Sequence, residues 1–144
     1  MGKEKKDGTQ EALDRLTDLV AHILDVPVVC LSLINGERQL LTSSSGLAAP
    51  IALLLSHSFS RHVSARGQPV VVGDGRADPL VAHNPAVMDG MVAAFAGTPL
   101  VTEDGRAIGT LCAMDYKPRN WTEGNLSLLR ELPSFILRVI LPQG

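Results

Sequence analysis

Ala94-Phe95-Ala96-Gly97-Thr98-Pro99-Leu100-Val101-Thr102-Glu103-Asp104-Gly105-Arg106-Ala107-Ile108-Gly109-Thr110-Leu111-Cys112-Ala113-Met114-Asp115 decides the fold. Two apolar runs flank Asp104-Gly105, a pair that tolerates the positive φ of a tight hairpin turn. Val92 to Val101 reads as one strand and Ala107 to Met114 as its antiparallel partner. Upstream, Val28-Val29-Cys30-Leu31-Ser32-Leu33-Ile34 and Gln39-Leu40-Leu41-Thr42-Ser43 flank Asn35-Gly36, which is a second hairpin signal. Pro69-Val70-Val71-Val72 is a short buried strand.

Helices bracket these strands. After Thr9, a candidate cap, apolar residues recur at Leu13, Leu16, Val20, Ile23 and Leu24, with Asp14, Arg15 and Asp18 between them; Pro27 ends the segment. A second stripe, Leu126, Leu129, Leu132, Ile136, Val139 and Ile140, follows Thr122, again a candidate cap. Pro133 falls inside it and predicts a kinked or split helix. Ser58 to Val63 reads as a short helix with Phe59, His62 and Val63 on one face, and another short helix follows Asn84-Pro85. Ser43 to Pro50 and Gly73 to Pro79 read as loops. Two hairpins with segregated helices make an α+β domain. Residues 1–8 read as a disordered tail and 9–141 as a single domain.

The composition narrows the function. The formal net charge is −2 and aromatics are 3% of residues, so neither a basic footprint nor a base-stacking platform marks a nucleic-acid partner. No apolar run approaches the ~18 residues of a membrane span. The charged start, Met1 to Asp7, leads into no signal-peptide core. Cys30 and Cys112, far apart in the chain with apolar neighbours, lack any zinc or CxxC spacing and read as reduced core thiols of a cytoplasmic protein in preference to the alternative, a disulfide.

Enzyme fingerprints are missing as well. There is no GxxxxGK[ST], HExxH or GxSxG. Gly73-Asp74-Gly75 begins a GxG, but Asp78 stands where the last glycine belongs. His57 and His62 are five residues apart, about 140° around a helix, and do not share a metal. The ordinary roles of Asp74, Asp78 and Asp115 are turns and caps.

The Ala94–Asp115 stretch resembles the last hairpin of bacterial GAF domains. Ser58-Phe59-Ser60-Arg61-His62-Val63, Pro69-Val70-Val71-Val72, Asp78-Pro79, Asn84-Pro85 and Lys117-Pro118-Arg119-Asn120-Trp121-Thr122 are similar to the same subgroup in the same order, over about residues 10–140. The resemblance implies an α+β, GAF-like fold. A central antiparallel sheet of five to six strands would carry the N- and C-terminal helices on one face and a pocket on the other. It also implies a non-catalytic sensory or regulatory module of bacterial signal transduction. Such a module binds a small molecule, dimerises through its terminal helices, or both, and regulates a kinase, cyclase or phosphatase. No cofactor is named by any motif.

The departures are specific. Ser60 stands where relatives often carry Cys, and neither the cyclic-nucleotide nor the bilin-attachment signature is present. Free methionine sulfoxide reductases of the family use several cysteines on mobile loops, whereas Cys30 and Cys112 fall mid-strand. A thiol-dependent reductase is therefore the alternative function, and a ligand-free dimerisation module is another. After Ile140 only Leu141-Pro142-Gln143-Gly144 remains, so no output domain is expected. If a ligand site exists, Phe59, His62, Asp78, Phe95, Thr110 and Cys112 line or flank it; otherwise the same six fill the core.

Overall fold

The structure is a computed structural model that describes residues 8–35, 38–46, 59–60, 62–63 and 65–140. Helix α1 (Gly8–Leu24) is followed by β1 (Val28–Asn35), β2 (Arg38–Ser45) and β3 (Val70–Val72). A 3₁₀ turn (Gly75–Ala77), the short helix α2 (Pro85–Met88), β4 (Ala94–Val101), β5 (Ala107–Asp115) and α3 (Glu123–Ile140) complete the order. Phe59, Ser60, His62, Val63, Ala65 and Arg66 are helical, and Gly67 closes that segment by donating to the Val63 carbonyl.

The five described strands form one antiparallel sheet in the order β2-β1-β5-β4-β3. Both predicted hairpins are present. Asn35 pairs with Arg38, and Gly36 and Glu37 between them lie outside the described residues. In the β4–β5 turn Gly105 takes φ +87°, and Thr102 and Arg106 close the loop backbone to backbone. Pro99 sits within β4 beyond the end of β3, on a stretch of strand that has no second strand partner among the described residues. Strand β2 runs two residues further than predicted, to Ser45, because Ser43, Ser44 and Ser45 all pair with β1.

Period-2 alternation divides the sheet into two faces. Val29, Leu31, Ala96, Leu100, Leu111 and Ala113 turn toward Leu13, Leu16, Val20 and Leu24 of α1 and Leu129, Leu132 and Ile136 of α3. Helices α1 and α3 pack against each other on this face. Val28, Cys30, Phe95, Cys112 and Met114 turn the opposite way, toward Phe59, Val63, Val81, Ala86 and Val87.

Two helix expectations need correction. Helix α1 begins at Gly8, so Thr9 lies in its first turn rather than capping it, and Gly8, expected in the tail, is already helical. Helix α3 runs through Pro133, so the proline does not split it. A single proline removes one intrahelical bond, and three buried side chains around it, Leu129, Leu132 and Ile136, hold the helix on the sheet. At the other end Thr122 caps as expected: its Oγ1 accepts from the Asn125 N–H at 3.1 Å, and Asn125 Oδ1 accepts from the Thr122 N–H at 3.0 Å.

Candidate functional site

The sheet face away from the terminal helices is built in rows, because directly opposed residues of adjacent antiparallel strands share a face. One row is Val28, Met114, Phe95 and Val72, and the next is Cys30, Cys112, Gly97 and Val70. Beyond them Ser32 stands opposite Thr110. The helical segment lies over these rows. Phe59 stacks on Phe95 with ring centroids 4.7 Å apart and an interplanar angle of 22°. Gly97 makes room for this contact, since a Cβ there would lie 2.8 Å from both the Phe95 ring and a Val63 methyl. Gly109 serves strand pairing in the same way: a Cβ would lie 2.5 Å from the Ser32 carbonyl oxygen.

The polar groups of this face are neutral. The Ser32 and Thr110 hydroxyls are 3.2 Å apart, both buried. The Cys112 thiol donates weakly to Thr110 Oγ1 at 3.9 Å. Burial pushes the Cys30 thiol up to about 12. Burial does the same to Cys112, with the neighbouring Cys30 adding to it and the Thr110 hydroxyl opposing it. Both thiols are therefore protonated at neutral pH, and a thiol without thiolate is a poor nucleophile.

The six candidates fall into three places. Phe59, Phe95, Thr110 and Cys112 converge on this face. His62 is half-buried on the helical segment between Phe59 and Val63. Asp78 is half-buried where the 3₁₀ turn ends, and its carboxylate accepts from the Leu80 N–H at 2.9 Å. Asp74 caps that turn and Asn84 caps α2 in the same manner. Among the described residues no group of three or more His, Cys, Asp or Glu is placed to hold a metal ion.

Two features of the site region escaped the sequence reading. Cys30 faces Cys112 across the β1–β5 pair; the only advance signal was the alternation of Cys30 with Ser32 and of Thr110 with Cys112. The other is Arg119, at the end of the sheet. Its guanidinium donates to the carbonyls of Leu24 and Asp25, both at 2.7 Å, and to the Asp115 carboxylate at 3.0 Å. It also sits 4.8 Å from the ring centroid of Trp121, whose Nε1 donates to the Val72 carbonyl. This arginine ends α1, where Asp25 takes φ 56°, and ties α1 to the approach to α3. It lines an open cleft of about 640 Å³ with Pro27, Tyr116, Lys117 and Asn120.

The sequence profile of the family described as GAF domain matches residues 8–137. The chain belongs to the GAF family. Its α+β sheet with segregated helices is that family's fold, as solved structures show. It superimposes on the GAF domain of an Acinetobacter phosphoenolpyruvate-protein phosphotransferase with a TM-score of 0.74 at 22% identity, covering 92% of this chain and 81% of that one. It also superimposes on a free methionine-R-sulfoxide reductase from Neisseria meningitidis, solved in complex with its substrate. The TM-score is 0.69 at 20% identity, covering 94% of this chain and 79% of that one. A cyclic di-GMP phosphodiesterase of Pseudomonas aeruginosa is 24% identical over 134 residues, which is 92% of this chain. The chain spans 23% of that relative's length. The same fold thus occurs in the GAF domain of a phosphotransferase and in a free methionine-R-sulfoxide reductase. No helix among its described residues is long and apolar enough to cross a membrane.

Proposed function

We propose that this GAF domain, over residues 9–141, is a non-catalytic regulatory module of bacterial signal transduction. It binds a small molecule against the sheet face of Phe59, Phe95, Thr110 and Cys112, with His62 and Asp78 at the margin. The observation that carries this is the composition of that face: an aromatic stack beside a buried, neutral hydroxyl pair. Apolar walls with a few oriented polar groups are how small-molecule sites are built. Helices α1 and α3 then pair with a second copy, because Leu19 and Ile23 on α1 and Phe135 on α3 are all more than half exposed. The output passes to a kinase, cyclase or phosphatase in the cytoplasm.

The solved reductase from Neisseria favours a second reading, a thiol-dependent reductase. The two cysteines argue against it, being fully buried and held protonated. A thermal-shift screen with nucleotides, amino acids and haem tests the first reading, since a ligand that binds only the native state raises Tm with its concentration. One such class is expected. A flat response across the screen, with turnover of free methionine sulfoxide that both Cys30→Ser and Cys112→Ser abolish, would establish the reductase instead.

A further inference from the structure

A pair of opposed thiols lies in the layer beneath the aromatic stack. Cys30 and Cys112 are directly opposite in the β1–β5 register, between the Val28–Met114 and Ser32–Thr110 pairs. Opposed residues of antiparallel strands have Cα atoms about 4.5–5.5 Å apart. A disulfide needs about 4.4–6.8 Å, so the register alone brings the two within bridging range. Both are reduced and fully buried in one apolar cluster. Among the described residues the pair has none of the additional ligands of a zinc site.

We propose that Cys30 and Cys112 form a two-electron oxidation site, which a small peroxide converts into a disulfide stapling β1 to β5. The reaction has two steps. One thiol sulfur takes an oxygen from hydrogen peroxide, giving a sulfenic acid and water. The second sulfur then attacks the sulfenic sulfur, the S–S bond forms, the S–O bond breaks, and hydroxide leaves with the second thiol's proton as water. Two thiols are oxidised to one disulfide and one peroxide is reduced to two waters.

The surroundings select this product. A disulfide is uncharged, so an apolar layer holds it without the desolvation penalty of a buried sulfinate or thiolate. The absence of exposed surface at either sulfur favours a small oxidant over a bulky disulfide, which would first have to fit as a mixed adduct. The same burial holds both thiols protonated, so conversion is slow and stoichiometric. The pair lies in the same buried cluster as the proposed ligand face, which includes Cys112, but its oxidation is tested without ligand and is stoichiometric, where the reductase alternative requires turnover.

Exposing the folded chain to hydrogen peroxide tests the proposal, with free thiols counted after unfolding, intact mass measured, and the protein digested without reductant. Both thiols should disappear together, with the linked Cys30–Cys112 peptides two hydrogen atoms lighter than the two reduced peptides combined, while exposed Met88 and Met91 take up oxygen separately. The Cys30 and Cys112 peptides should emerge linked within one chain, and dithiothreitol should restore them. Sulfinic or sulfonic acid on either cysteine, or linkage between two chains, would overturn the proposal. So would thiols that persist in the folded protein under exposure that oxidises the urea-unfolded chain.

Discussion

At the residue scale the two thiols govern how stability responds to alkaline pH. Each is pushed from an ordinary 9.0 up to about 12 by burial. Raised folded values mean that above about pH 9 the unfolded chain loses these protons while the folded chain keeps them. Their contribution is therefore constant below about pH 9 and declines as pH climbs toward 12. The slope approaches roughly 1.4 kcal/mol per pH unit for each thiol. Urea unfolding of the reduced protein across this range should show a steeper loss than in the double variant Cys30→Ala, Cys112→Ala. Parallel curves would mean that the thiols titrate normally. Arg119 is the second residue with wide reach. Arg119→Ala would leave the Leu24 and Asp25 carbonyls uncapped and the buried Asp115 carboxylate without its cation. Breaking a buried pair on one side costs about 3–5 kcal/mol, reduced here toward the lower figure because the arginine is a fifth exposed. Chemical denaturation should register that loss. Arg119→Lys should recover only part of it, since an ammonium cannot serve two carbonyls and a carboxylate with one planar fork.

At the scale of elements, sequence and structure agree where the signal is local. Asp104-Gly105 and the apolar stripes of α1 and α3 carry their own geometry, and the elements stand where those signals place them; the first hairpin forms too, but Asn35, expected in its turn, is the last residue of β1 and pairs with Arg38. What was illegible is long-range. The sheet order places β1 beside β5, and no local signal says so; hence the facing of Cys30 and Cys112 and the reach of Arg119 to residues 94 and 95 positions earlier went unread. Phe59, Phe95, Thr110 and Cys112 could be assembled from alternation and helical spacing alone. Asp78 could not be placed by those patterns, because a loop carboxylate that accepts from its own Leu80 N–H looks the same in sequence as one that faces a ligand. Pro133 is the clearest mismatch of local rule and outcome. The helix persists through it, so tertiary packing outweighs an intrinsic penalty of about 3 kcal/mol relative to alanine. Pro133→Ala should therefore stabilise the domain by up to that amount, measured as a rise in the urea midpoint. A clear loss instead would show that the packing of α3 requires the proline's geometry.

At the scale of the whole molecule, one sheet separates two buried layers. The terminal helices close one face and leave Leu19, Ile23 and Phe135 outward, the kind of apolar surface that pairs with its own copy. Sedimentation at high micromolar concentration should give a dimer that added salt does not dissociate, because the contact is apolar. A monomer throughout that range would remove dimerisation from the account. The other face holds the aromatic stack and the hydroxyl pair, and the central claim is that this face receives a small molecule. Calorimetric titration of the compound that raises Tm, on the wild-type domain and on His62→Ala, tests that claim most directly. The account predicts saturable binding to the wild type and at least tenfold weaker binding to a His62→Ala domain whose unfolding midpoint is retained (roughly 1.4 kcal/mol). A domain that binds nothing in the screen, and in which His62→Ala only lowers the midpoint, would contradict it and make this face a filled core.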